Sequence, residues 1–195
     1  MTDWESCYQN GNTPWDKGGG SPPLSAWVQK NHPQGRALVP GCGTGHDVVM
    51  LADAGLDASG LDLAPTAVQR ARDLYPAHAA RFHLADLFAT PADWQSSFDY
   101  LIEHTCLCAL PPHLRGRYAT TVHGLLRPGG LLVGIWFIDP EMDPEETGPP
   151  FGISIQELDD LFPTHLWVVV EDYVPAIGYP GRCGRERLRV LRKRS

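Results

Sequence analysis

Short apolar runs of strand length recur along the chain at 37–39, 58–61, 81–84, 98–102, 131–136 and 166–170, and a last one, 187–191, interleaves basic and apolar side chains. The intervening stretches 21–30, 44–54, 65–75, 112–126 and 155–162 carry apolar residues at helical spacing. This alternation predicts an α/β fold with a mostly parallel sheet and helices on both faces, because parallel neighbours need crossover connections. Pro65 suits a first helical turn, and Arg127-Pro128-Gly129-Gly130 reads as a stop and turn ahead of the fifth strand. Two connections, 10–23 and 139–152, are long and rich in Gly or Pro, as lids and binding loops are. In such a sheet the ligand crevice opens at the carboxyl ends of the strands.

At that end of the first strand stands Val39-Pro40-Gly41-Cys42-Gly43-Thr44-Gly45-His46-Asp47. Three glycines in five residues let the backbone pass close to a ligand. About twenty residues on, the second strand runs into Asp62, where a carboxylate can take both hydroxyls of a ribose. The pair points to an adenosine-containing cofactor. A dinucleotide turn would place a third glycine three residues after the second, but position 46 is His and the last glycine comes early, at 45. The shorter spacing suits a sulfonium nucleoside, which has no pyrophosphate to seat on the helix N-terminus.

A length of 195 residues with 43% hydrophobic content fits one domain, 1–195. The net charge of −7 disfavours a nucleic-acid partner. The basic cluster from Arg182 to Arg194 is interrupted by Leu188, Val190 and Leu191, and reads as a final strand with a solvated face and a charged edge. No apolar stretch approaches membrane length and the start lacks signal-peptide character, so no membrane association and a cytoplasmic location are expected. Five cysteines without a Cys-x-x-Cys pair suggest reduced thiols, with neither disulfides nor a metal site. Cys106 and Cys108 are expected on one face of a strand, packed in the core.

Trp4, Asn12-Thr13-Pro14-Trp15-Asp16-Lys17-Gly18, the glycine turn with its Gly45-His46-Asp47 ending, Gly60-Leu61-Asp62-Leu63 and Gly148-Pro149-Pro150-Phe151 occur in this order. Together they resemble the thiopurine S-methyltransferase and thiol/halide methyltransferase family over nearly the whole chain. The resemblance implies a single Rossmann-like class I S-adenosylmethionine-dependent methyltransferase domain, with a seven-stranded sheet whose last strand is antiparallel. Residues 1–23 would cover the cofactor and 139–152 would lie on the substrate side. S-adenosylmethionine, and its product S-adenosylhomocysteine, would be held by Trp4, Trp15, Gly41, Cys42, Gly43, His46, Asp47, Asp62, Leu63, Asp86, Leu87 and Glu103. The stretch 10–23 is expected to order when the cofactor binds.

The acceptor implied is a small, apolar or aromatic thiol, with halide or metalloid anions as side substrates, and the enzyme a monomer or weak dimer. Trp136, Phe137, Phe151 and Tyr179 would wall the substrate pocket, with Ile153 beside them. His104 stands where mammalian relatives have a substrate-binding arginine, and Phe137 where plant relatives have a tyrosine, so neither preference transfers. A soft nucleophile needs positioning more than a base; if a base is used, His104 comes first, its ordinary pKa lying near about 6.5, followed by Glu103, Asp16 and Tyr179. Two alternatives stay open: O- or N-methylation of a small metabolite, and a non-catalytic cofactor-binding module that meets a protein partner through its basic C-terminal segment.

Overall fold

A computed structural model describes residues 2–138, 140 and 148–195. In chain order the elements are α1 (Trp4–Gln9), α2 (Pro22–Asn31), β1 (Arg36–Pro40), α3 (His46–Asp53), β2 (Asp57–Asp62), α4 (Pro65–Leu74), β3 (Phe82–Leu84), β4 (Phe98–His104), α5 (Arg115–Leu125), β5 (Leu126–Phe137), α6 (Ile155–Leu161), β6 (Trp167–Tyr173) and β7 (Glu186–Lys193). The strands form one sheet in the order β3-β2-β1-β4-β5-β7-β6. Pairing is parallel from β3 to β5, whereas β7 runs antiparallel to both β5 and β6. The sheet class and the antiparallel last strand thus match the expectation from sequence.

Alternate residues of the central strands feed two cores on opposite faces of the sheet, because successive side chains of a strand point to opposite sides. Leu38, Leu101, Leu132 and Trp136 pack with Tyr118, Val122 and Leu158 from α5 and α6. Val39, Ile102, Val133 and Ile135 pack with Leu24, Val48, Leu51 and Val68 from α2, α3 and α4. The stop and turn at 127–130 sits inside β5: Leu126 pairs with Phe98 and Leu131 with Tyr100, so the four residues between them bulge out, with Gly129 at φ +77°.

Three expectations are corrected. The final strand is not a charged edge: β7 lies inside the sheet, where Arg187 and Arg189 pair with Asp172 and Asp159. The edge is β6, which exposes Val168, Val169 and Val170. Cys106 and Cys108 do not share a strand face, since β4 ends at His104 and both lie in the buried helical turn around Leu107–Ala109. The first residues, for which no element is expected above, form α1; Asp3 caps it by accepting from Ser6 N at 3.0 Å. Of the substrate-side loop 139–152, residues 139 and 141–147 lie outside the described residues.

Candidate active site

The strand ends create the site. Beyond β1 the chain turns through Gly41, Gly43 and Gly45, at φ +60°, +54° and +85°. At Gly45 the need for glycine is doubled: a Cβ there would stand 2.4 Å from the Phe82 ring, and the left-handed backbone itself resists a side chain. Asp62, the last residue of β2, is buried beside the turn and accepts from Gly43 N and Ala64 N, each at 2.9 Å. Burial raises its carboxyl pKa in spite of these donors.

The N-terminal segment folds over the turn. Glu5 of α1 accepts from Thr66 N and Oγ1 in the first turn of α4, at 2.9 and 2.6 Å. Trp15 donates to Tyr8 Oη at 3.1 Å and meets Trp4 edge to face, with centroids 5.2 Å apart. Asp16 accepts from Thr44 Oγ1 at 2.7 Å and lies 3.0 Å from His46 Nε2, so it fastens the segment to the glycine turn. Burial opposes its ionisation, yet bonds from Gly18, Thr44 and His46 hold its carboxyl below the ordinary value.

On the β4 side, His104 Nδ1 lies 2.7 Å from Asp47 Oδ2 at the start of α3, and its ring stacks on Tyr179 at 5.9 Å. Burial favours neutral His104, but the Asp47 carboxylate outweighs it and raises the imidazole pKa, while Asp47 is lowered in return against its own burial. His104 Nε2 is buried and has no hydrogen-bond partner among the described residues. Arg182, also buried, lies 4.8 Å over the Phe137 ring and 5.7 Å from that of Tyr179. Burial pushes the Cys108 thiol up to about 12 and raises Cys106 as well, so both stay protonated.

These groups enclose a cavity of about 690 Å³, within the range of small-molecule sites. Its wall takes in Trp4, Trp15, Asp16, Gly41, Cys42, Gly43, His46, Asp47, Asp62, Leu63, Asp86, Leu87, His104, Phe137 and Tyr179 from the sequence-derived set. Asp86 also accepts from Phe88 N at 2.8 Å, capping a short helical turn. Four of the sequence-derived residues lie outside the wall: Ile153 is buried in the core with Trp136 and Leu158, and strand alternation explains two of the others. Glu103 points away from its neighbour His104 and accepts from Cys106 N, Leu107 N and Tyr118 Oη, a buried bracket for the turn after β4. Trp136 points away from Phe137 and packs on Phe162 in the core. Phe151 turns back over Gly148, leaving Pro149 and Pro150 to face the cavity.

Residues not singled out from sequence complete the wall, as Tyr8 and Arg182 do, or brace it from behind, as Arg115 does. Tyr8 sits so close that a Cβ on Gly43 would lie 2.8 Å from its hydroxyl. Arg182 belongs to the basic cluster read as a strand surface. Arg115 of α5, buried, donates to Glu157 at 2.5 Å and to the Phe151 and Gly152 carbonyls at 3.0 and 2.9 Å, which holds the loop bearing Pro149 and Pro150. The Trp4-to-Tyr8 spacing of four was a legible signal for α1; nothing local announced Arg182 or Arg115.

A parallel sheet with one reversed strand, a glycine turn at its carboxyl edge, and a buried carboxylate ending the next strand define the fold of class I S-adenosylmethionine-dependent methyltransferases. The wall fits that donor: Asp62 suits the ribose, and the rings of Trp4, Tyr8 and Trp15 suit a sulfonium cation. The family model for thiopurine S-methyltransferase matches residues 1–177, and the chain belongs to that family. It is 34% identical over 197 residues to probable thiol methyltransferase 2 of Arabidopsis thaliana, covering 98% of this chain and 85% of that one. It is 33% identical to thiocyanate methyltransferase 1 of the same plant, covering 95% and 82%. Among solved structures, the fold is similar to a 1,6-didemethyltoxoflavin-N1-methyltransferase of Burkholderia thailandensis with S-adenosylhomocysteine bound, at a TM-score of 0.75, 22% identity, and coverage of 99% and 86%. No helix among the described residues is long and apolar enough to cross a membrane.

Proposed function

We propose that this enzyme methylates the sulfur of a small apolar or aromatic thiol. The observation that carries the reading is the composition of one cavity: the buried Asp62 carboxylate and the Trp4–Trp15 pair along β1 and β2, and Phe137, Tyr179, Pro149 and Pro150 beside His104 along β4 and β5. Bound S-adenosylmethionine supplies an electrophilic methyl group on a sulfonium that leaves as a neutral thioether. The protein's part is to hold both reactants and keep water out. Asp62 takes the ribose, Leu63, Asp86 and Leu87 the adenine, and the glycine turn the methionine portion. Residues 2–23 cover the donor, and 148–152 lie on the acceptor side.

A thiol of ordinary pKa, about 8.5, is mostly protonated near neutrality. In this reading His104, on the cavity wall, accepts its proton once the acceptor reaches Nε2, and the Asp47 carboxylate stabilises the resulting imidazolium. Arg182, over the Phe137 and Tyr179 rings, is ion-paired with Glu186 at 3.3 Å, so its charge is largely balanced within the wall. The net charge of −7 fits an enzyme acting on small molecules and not on nucleic acid, and five free cysteines fit a reducing, cytoplasmic setting. The test is a mass-spectrometric screen of alkyl thiols, arene thiols, iodide, phenols and amines with labelled donor. Transfer to thiols in preference to phenols and amines is expected. Preferential labelling of phenols or amines, or S-adenosylhomocysteine binding without turnover on any acceptor, would overturn the proposal.

A further inference from the structure

The N-terminal segment reaches both groups that hold His104. Ser21 N donates to Asp47 Oδ1 at 2.7 Å, while the other oxygen of that carboxylate faces His104 Nδ1, also at 2.7 Å. Two residues earlier, the Gly19 carbonyl accepts from Tyr179 Oη at 2.6 Å, and the Tyr179 ring stacks on His104 with 20° between planes. Packing there is close: a Cβ on Gly20 would stand 3.4 Å from Asp47 Oδ1 and 3.1 Å from Met50 Sδ. The same segment carries Asp16, tied to the glycine turn through Thr44 and His46, and Trp15 on the cavity wall. One stretch of chain therefore touches the donor-side wall and fixes both the ring plane and the Nδ1 partner of the histidine.

We propose that residues 19–21 couple closure over the methyl donor to alignment of His104, with Asp47 and Tyr179 as the positioning residues. The inference rests on the reading that His104 accepts the thiol proton. A carboxylate on Nδ1 keeps the proton there, so Nε2 carries the lone pair and is the nitrogen able to accept. In that transfer the thiol S–H bond breaks, an N–H bond forms at Nε2, and the electron pair stays on sulfur, ready to attack. With the segment unseated, Asp47 loses its Ser21 anchor and Tyr179 its Gly19 acceptor, and the ring loses its fixed plane. A thiol bound without donor therefore keeps its proton. The charged and titratable groups around His104 are Asp47 from α3, Glu103 beside it in β4, Tyr179 and Arg182 from the connection between β6 and β7, and Glu186 from β7.

The experiment compares wild type, Asp47→Asn, Tyr179→Phe and His104→Ala by kcat/KM against pH, with an alkyl thiol and with an arene thiol already ionised at neutral pH. Asp47→Asn should lose about tenfold or more activity on the alkyl thiol beyond its loss on the arene thiol. It should also move the acidic limb of the alkyl-thiol profile to lower pH, since Asp47 raises His104. Tyr179→Phe keeps the ring and removes the bond to Gly19; it should show the same preferential loss to a smaller degree and faster amide exchange at 16–21 with S-adenosylhomocysteine bound. Nuclear magnetic resonance titration of His104 in the ligand-free protein gives a readout free of turnover, with its pKa lower in Asp47→Asn. Equal losses on both thiols for Asp47→Asn and Tyr179→Phe, with the limb unmoved, would overturn the positioning role while a thiol-dependent His104→Ala loss stood. Equal losses on both thiols for His104→Ala would instead remove the proton-transfer reading beneath it.

Discussion

Replacing Asp62 separates what the carboxylate does for the fold from what it does for the donor. In the free protein it accepts two backbone N–H bonds, from Gly43 and Ala64, and it is 8% exposed. Asp62→Ala leaves both donors without an acceptor, at about 1–3 kcal/mol for each that water does not reach. Asp62→Asn keeps the shape and one carbonyl oxygen, so it retains one of the two bonds. For the ligand, two bonds from ribose hydroxyls to an ionised acceptor amount to about 3–6 kcal/mol. At about 1.4 kcal/mol per factor of ten, that weakens S-adenosylhomocysteine binding by roughly 10²–10⁴-fold. Titration calorimetry on the ligand-free variants gives the affinity, and thermal unfolding of the same samples gives the stability. The expected pattern is a melting temperature partly recovered in Asp62→Asn relative to Asp62→Ala, with affinity poor in both. Affinity in Asp62→Asn within about threefold of wild type would refute the ribose assignment.

Three further outcomes follow from the geometry. The Asp47–His104 pair has a pH window: lowered Asp47 stabilises above its unfolded value of 3.8 and loses this as pH falls through its folded value, whereas raised His104 stabilises fully below 6.5 and loses this as pH rises through its own. The melting-temperature gap between wild type and Asp47→Asn should therefore peak between those two values and shrink above neutrality; a gap that grows with pH contradicts the pairing. Gly45→Ala combines a left-handed backbone with a collision against Phe82, about 2–5 kcal/mol together, and should lower the melting temperature by roughly 4–20 °C; an unchanged transition argues against this turn. Arg115→Lys keeps the charge but cannot serve Glu157 and two carbonyls at once, so the thiol KM should rise several-fold while S-adenosylhomocysteine affinity holds, and the opposite split would place the loop on the donor side.

The sheet, and the wall residues proposed for the donor, were legible because they are written locally. Gly41 to Asp47 and Asp62 sit at fixed distances from their strands, and the residue type alone states the chemistry. The acceptor half is tertiary. Glu103 and His104 are adjacent in a strand and must face opposite ways, but which one meets the cavity depends on α5 placing Tyr118 under Glu103. The same holds for Trp136 and Phe137. Arg182 sits among a run of basic residues, and only the fold of the connection ahead of β7 brings it over Phe137. Ser21 and Gly19 act through their backbone, which no residue identity reveals.

The position of β7 between β5 and β6 sets an order on assembly. As the nascent chain leaves the ribosome, residues 167–173 emerge before 186–193, the strand on which they hang. Until that later strand is available to pair with them, the three consecutive valines of β6 have no strand neighbour on either side. Co-translational folding can complete the five-stranded parallel portion, but the far edge must wait for the late strand to slot in. In that interval the unpaired valine edge is a surface open to mispairing with other chains.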